Sequence, residues 1–325
     1  MARRGALAAI AVVLALALAA FPAAAQQTLR VGKAVTNAFT FTPLDVGMES
    51  GIFKKHGLAI DEYSFGGSAK LQQALAADSI DIGIGSGPEL SFVAKGAPVL
   101  GVAAMAGKPA LLCLVVLQKG PIHTVADLKG ETVSSSTVGS LTTWLVRELA
   151  RQQGWGPDGI KLAYLGEEPA QLAALRTGET QGATVQIAAG YRLEEQGIGR
   201  ILYRFGDIAP HFIIHVIYAR RALIASNPDV IRKFLAGWFE TIAYMASHKD
   251  ETVRVAAPSM GVSPAIAAKA YDELMPTFSR DGRFDPEALK ILARSYVEMG
   301  LLPQEPDMQS LITEKFLPGA PPPGN

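Results

Sequence analysis

Three short turns carry the residues best suited to holding a small molecule. They are Gly66-Gly67-Ser68, Gly85-Ser86-Gly87, and Gly139-Ser140 followed by Thr142 and Thr143. Each comes where a strand-like run gives way to a helix-like one. Such a turn leaves backbone N–H groups free at the start of the next helix and sets hydroxyl donors beside them. Neutral donors and helix dipoles together can hold an anion without a full counter-charge. Phe39, in the turn after the first strand, is a candidate wall for the same cleft.

Covalent and metal chemistry find no comparable support. The five histidines (56, 123, 211, 215 and 248) show no HExxH or clustered spacing, and one cysteine cannot complete a Cys/His set. Ser86 lacks a nucleophile elbow, and the run Ser134-Ser135-Ser136-Thr137 has no neighbouring base. A P-loop motif is absent. The acidic pairs Glu167-Glu168 and Glu194-Glu195 read as solvated helix ends. His211 and His215 share a strand face at a separation too long for easy joint ligation and read as core or cleft residues. No catalytic residue, metal or cofactor is expected.

The elements that position the turns follow from periodicity. Thr28–Val35 reads as a strand, and Pro43 opens a helix with Leu44, Met48 and Ile52 on one face. Ala59–Phe65 is a strand, Ser68 caps a helix, and Ile80, Ile82 and Ile84 alternate as a further strand. A second block repeats this order. Glu131–Ser136 is a strand, Leu141, Leu145 and Leu149 align on a helix, Ile160–Leu165 is a strand, Pro169 starts a helix and Ala183–Ile187 is a strand. Ile60, Gly66, Ala74 and Leu75 match Ile160, Gly166, Ala174 and Leu175 at one constant offset. This predicts two similar lobes facing a shared cleft. Three helix starts of the form cap-then-proline (Asn227-Pro228, Ser263-Pro264, Asp285-Pro286) predict a helical C-terminal region that wraps the first lobe. The expected organisation is residues 28–116 and 213–318 for the first lobe, 117–212 for the second, and a disordered tail at 319–325. Crossings near Leu117 and His211 would form the hinge.

Bulk properties narrow the classes. The 30 basic and 30 acidic residues balance, so nothing favours nucleic acid. Arg3-Arg4, the apolar run Ala6–Ala20, Pro22 and Ala23-Ala24-Ala25 read as a leader cleaved near Ala25, which predicts export. The lone Cys113, within LLCLVV, cannot form an intramolecular disulfide and reads as a core residue. A monomer is expected.

The segments FTPLDVGMESGIFKKHGL, ALAADSIDIGIGSGPEL and TVADLKGETV, with the Gly139-Ser140 turn before LVRELARQQGW, resemble the sulfonate/nitrate/taurine-type solute-binding proteins of ABC importers. The resemblance runs from Leu29 to Leu235 and more loosely beyond. It implies an α/β, two-lobed periplasmic binding protein type 2 fold with a two-strand hinge, a small-anion ligand and an inner-membrane ABC permease as partner. It places binding residues at Asn37, Phe39, Ser86, Ser140 and Thr142; Gly67, Ser68, Gly87 and Gly139 join them from the turns. Many relatives end the strand at 183–187 in a Trp-Asp-Pro-like sequence, whereas this chain has Ile187-Ala188-Ala189. That argues against a ligand whose amino group needs an acidic partner, taurine included, and leaves Gln186 as a neutral amide in its place. Pyrimidine-precursor binders and thiamine-pyrimidine synthases share the fold. The synthases carry a Cys-rich segment that a single Cys113 does not match, so a pyrimidine binder is the alternative and an enzyme the less favoured one.

Overall fold

The computed structural model describes residues 26–320. The leader expected at 1–25 and the tail segment 321–325 lie outside the described residues. In chain order the first block contains β1 (Gln27–Lys33), α1 (Thr42–Glu49), α2 (Ile52–Lys55), β2 (Leu58–Ser64), α3 (Ser68–Ala76), β3 (Ile82–Ser86), α4 (Leu90–Ala94) and β4 (Val99–Gly107). The second contains β5 (Leu112–Leu117), β6 (Thr132–Ser135), α5 (Leu141–Gln152), β7 (Lys161–Tyr164), α6 (Glu168–Thr177), β8 (Gly182–Gln186), α7 (Ile187–Glu195) and β9 (Gly199–Arg204). The chain then continues through β10 (Ile213–Arg220), α8 (Arg221–Ser226), α9 (Pro228–Ser247), α10 (Lys249–Met260), α11 (Pro264–Leu274) and α12 (Pro286–Glu298).

Two five-stranded sheets result, ordered β2-β1-β3-β10-β4 and β7-β6-β8-β5-β9. In each, three parallel strands meet an antiparallel fourth: β10 against β3 and β4, and β5 against β8 and β9. The offset seen in the sequence thus corresponds to equivalent strands, β2 with β7 and β3 with β8. Its helices also match, because Gly67 precedes α3 and Glu167 precedes α6 at the same point of each sheet.

One boundary differs from the sequence reading. The sequence reading assigns residues 112–116 to the first lobe, but β5 pairs Leu112 with Gln186 and Cys113 with Arg204 in the second sheet. A continuous apolar run identifies a buried strand and says nothing about which sheet receives it. The chain therefore passes between sheets at 108–111, where Lys108 turns through a left-handed φ of 44°, and returns at 205–212. The strand predicted to end at Ile187 stops at Gln186, and Ile187 starts α7.

The C-terminal helices pack on the first sheet as their stripes require. Ile231, Phe234, Leu235, Trp238 and Ile242 of α9 are buried, and Phe234 stacks on Phe53 with centroids 5.4 Å apart. The three cap-then-proline starts are formed: Asn227, Ser263 and Asp285 accept hydrogen bonds from the N–H groups of Val230, Ile266 and Glu287. Cys113 is fully buried, and burial pushes its thiol well up.

An ion-pair cluster locks the order of the first sheet at its far end. Asp81, at the entry to β3, receives Arg30 of β1 through Nε and Nη2 (3.0 and 2.8 Å) and Arg220 of β10 at 2.6 Å. Those hydrogen bonds outweigh burial and bring the Asp81 carboxyl down to about 2. A depressed carboxylate stabilises the fold above its ordinary titration and loses that contribution as pH falls through the folded value. Asp81→Asn should therefore cost about 2 kcal/mol at neutral pH and progressively less towards pH ~2. Urea unfolding of both proteins across that range tests this; a gap that stays constant with pH would sink the assignment.

Candidate ligand-binding cleft

The ends of β1, β3, β6 and β8 point into the space between the two sheets, and the helix starts that follow them supply its polar lining. The first sheet contributes Ser68, at the start of α3, and Ser86, at the end of β3, with hydroxyl oxygens 3.2 Å apart. The second contributes Ser136, Ser140 and Thr142 around the start of α5, and Gln186 at the end of β8. Phe41, Leu111, Leu112 and Leu141 form the apolar side, and His215 of β10 closes the back. The space between them is about 50 Å³. It suits a few waters or one small head group.

Local structure explains each donor. Ser140 caps α5, its hydroxyl accepting from the Thr143 N–H at 3.4 Å. Thr142 Oγ1 lies 2.9 Å from Ser135 Oγ, 3.0 Å from Ser136 Oγ and 2.9 Å from Ser140 Oγ, and accepts from the Ser136 N–H at 3.2 Å. A hydroxyl has one proton and two acceptor sites. Thr142 cannot bond all of these neighbours at once, and the Ser135 and Ser140 hydroxyls can turn instead to Thr143 Oγ1 or, for Ser140, to a ligand. On the other wall, Ser86 and Glu89 form a capping box: the Ser86 hydroxyl accepts from the Glu89 N–H, and the Glu89 carboxyl accepts from the Ser86 N–H at 2.7 Å. Tyr218 and Tyr296 donate to the carbonyls of Ser86 (2.7 Å) and Gly87 (3.2 Å), which fixes this turn from behind.

Among the described residues, no fixed charge lines the cavity. His215 is buried, and burial brings its ring down to about 3, so it is neutral at physiological pH; its Nδ1 lies 2.7 Å from Thr40 Oγ1. Among the described residues, no cluster of His, Cys, Asp or Glu could hold a metal ion, and no helix is long and apolar enough to cross a membrane.

Of the residues singled out from the sequence, Gly67, Ser68, Ser86, Ser140, Thr142 and Gln186 line this cavity. The others lie elsewhere. Phe39 is folded into a 3-10 turn that aims it at Tyr271 and Phe278, with centroids 6.2 and 6.0 Å away, so it is core; Phe41 takes the place expected of it and packs on His215. Asn37 donates to Glu168 at 2.7 Å on the edge of a neighbouring groove. Gly87 is a close-approach residue, because a Cβ there would lie 2.0 Å from the Ile213 carbonyl oxygen. Gly139 adopts a φ of 75° and abuts Leu301. Glu168, expected at a solvated helix end, is buried and bridges Asn37 to Arg192 (2.8 Å). Phe41, Ser136, the leucines and Glu89 were not selected from the sequence. The pattern S-x-x-E at 86–89 was the available signal for Glu89.

The two halves touch across the cleft. Besides Asn37 and Glu168, Arg192 donates to the Gly261 carbonyl at 2.7 Å, and Arg147 to that of Met299 at 3.1 Å. Arg204 and Tyr191 both reach Glu273.

The NMT1/THI5 like family matches residues 38–252, which include all of the cleft except Ala34 and Val35. The chain belongs to this family. A relative from Escherichia coli (strain K12), named "Putative aliphatic sulfonates-binding protein", is 28% identical over 250 residues, covering 76% of this chain and 77% of the relative. Among solved structures, the periplasmic aliphatic sulphonate binding protein SsuA from Escherichia coli is similar with a TM-score of 0.72 at 24% identity, covering 88% of this chain and 92% of that one. The alkanesulfonate-binding protein SsuA from Xanthomonas axonopodis pv. citri, bound to MOPS, gives 0.76 at 20% identity, covering 88% and 98%. This NMT1/THI5 like chain thus has the periplasmic binding protein fold, with two sheets and two crossings between them. The three relatives named above are described as sulfonate-binding proteins.

Proposed function

We propose that this protein is the periplasmic substrate-binding component of an ABC importer and that it captures a small organic anion, a short alkanesulfonate first, between its two halves. The observation that carries this reading is the ring of neutral donors from both sheets around a cavity with no charged side chain. Hydroxyls at the start of α5 and the end of β3 line one cavity, and the wall of Phe41, Leu111, Leu112 and Leu141 suits a short apolar tail. Ligand binding would favour the arrangement in which the halves meet, through contacts available only there. The names of the relatives support the sulfonate class and the import role. The leader-like residues 1–25 support export, an inner-membrane permease is the partner this role requires, and the protein acts as a monomer.

A thermal-shift panel tests the reading. Ethanesulfonate should stabilise the protein, by about 2.7 kcal/mol at a hundredfold excess over Kd. Taurine should stabilise it less, since no acidic side chain lines the cavity to meet its ammonium group. Stabilisation by a neutral aminopyrimidine, with none from ethanesulfonate, nitrate or benzoate, would replace the anion reading with the pyrimidine one.

A further inference from the structure

Directly behind the Ser68–Ser86 hydroxyl pair lies a carboxyl group that the anion reading leaves unused. Glu89 is fully buried, on the 3-10 turn between β3 and α4. It accepts from the Ser86 N–H at 2.7 Å and from Gln72 Nε2 of α3 at 2.7 Å, and the Ser86 hydroxyl, 3.2 Å from that of Ser68, accepts from the Glu89 N–H. No Lys, Arg or His pairs with it among the described residues. The titratable groups facing it are Tyr218 and His215 from β10 and Tyr296 from α12, and burial keeps all three neutral. The nearest cation of α3, Lys70, points out towards Gly66 and Glu167. An uncompensated buried carboxylate is costly, and one separated from a bound anion by a single layer of hydroxyls is costlier still.

We propose that Glu89 sets the hydrogen-bond polarity of the cleft: protonated, it leaves Ser68 and Ser86 free to donate into the cavity and admit an anion; ionised, it draws both hydroxyls to itself and excludes one. Both states fit the surroundings. Gln72 Oε1 is buried without a partner, and a flip of that amide would let it accept from a protonated Glu89. Burial brings the Glu89 carboxyl up to about 7, so the two states exchange near neutral pH. Anion capture then takes up a proton, and affinity falls as pH rises.

This inference rests on the anion reading, and its test separates the two. Ethanesulfonate does not itself titrate near neutral pH. Its affinity for the full protein should drop about thirtyfold between pH ~6 and ~8.5, because the competent fraction falls by that factor. Calorimetry in two buffers of different ionisation heat should show net proton uptake near neutral pH. In Glu89→Gln, which retains an acceptor for the Ser86 N–H, the affinity should be independent of pH and no proton should be taken up. Binding with a flat pH profile and no proton uptake in the wild-type protein overturns the inference and leaves the anion reading standing. The same slope in Glu89→Gln assigns the proton to another group and also overturns it. Absence of ethanesulfonate binding at every pH overturns both.

Discussion

Replacing both Ser140 and Thr142 by alanine should weaken ethanesulfonate binding by about 3 kcal/mol, roughly a hundredfold, while leaving a folded protein. The magnitude follows from two hydrogen bonds to a charged group at about 1.5–3 kcal/mol each, part of which is recovered by water. The loss should appear in affinity far more than in stability. Thr142 Oγ1 makes its contacts inside a cluster of redundant hydroxyls, so its removal still leaves Ser135 bonded to Thr143 Oγ1. Ser140 is the N-cap of α5, and its loss costs about 1 kcal/mol. Calorimetric titration gives the affinity and urea unfolding gives the stability. Unchanged affinity in the double variant would remove the start of α5 from the binding site.

The second large effect is expected at a residue outside the lining. Gly87→Ala should destabilise the protein by about 3 kcal/mol, since its Cβ would sit 2.0 Å from the backbone oxygen of Ile213. Neither partner can yield cheaply. Ile213 begins β10, which is paired on both sides by β3 and β4, and the Gly87 carbonyl is held by Tyr296. A side-chain tip could rotate away, but this contact is with main chain. The strain would also reach Ser86, one residue away, so binding should weaken along with stability. A urea midpoint equal to that of the wild-type protein would refute the close-approach account. The two variants thus separate roles that a glycine-serine turn leaves merged: donor to a ligand at Ser140, and spacer between backbones at Gly87.

Much of the scaffold was legible in advance because local signals coincide there. Cap-then-proline starts, a β-period at Ile80, Ile82 and Ile84, and the offset linking Gly66 to Gly166 each report on a few neighbouring residues, and each corresponds to an element in the fold. That offset also pairs Ser86 with Gln186, and both line the cavity. Turn chemistry marks the site because a strand end followed by a helix start must expose donors wherever it occurs.

Position within the cavity was not legible in the same way. Phe39 and Phe41 are two residues apart in one aromatic-rich turn, and only the 3-10 geometry sends the first to the core and the second to the cleft. Glu168 follows a glutamate and precedes a proline, a surface-like context, yet the opposing half buries it against Asn37. Glu89 reads locally as one half of a capping box; its turn is held from behind by Tyr218 and Tyr296, which arrive from distant parts of the chain.

By itself the sequence determined the alternation of strands and helices, the repeated lobe pattern and the hydroxyl-bearing turns, since these depend on periodicity and capping over a few residues. The tertiary structure alone decided that β5 joins the second sheet, which aromatic faces the cleft, and that a carboxyl without a counter-ion stands behind two of its donors. Those outcomes depend on which surfaces are brought together across long separations, where desolvation and close packing are set by partners that no local pattern names.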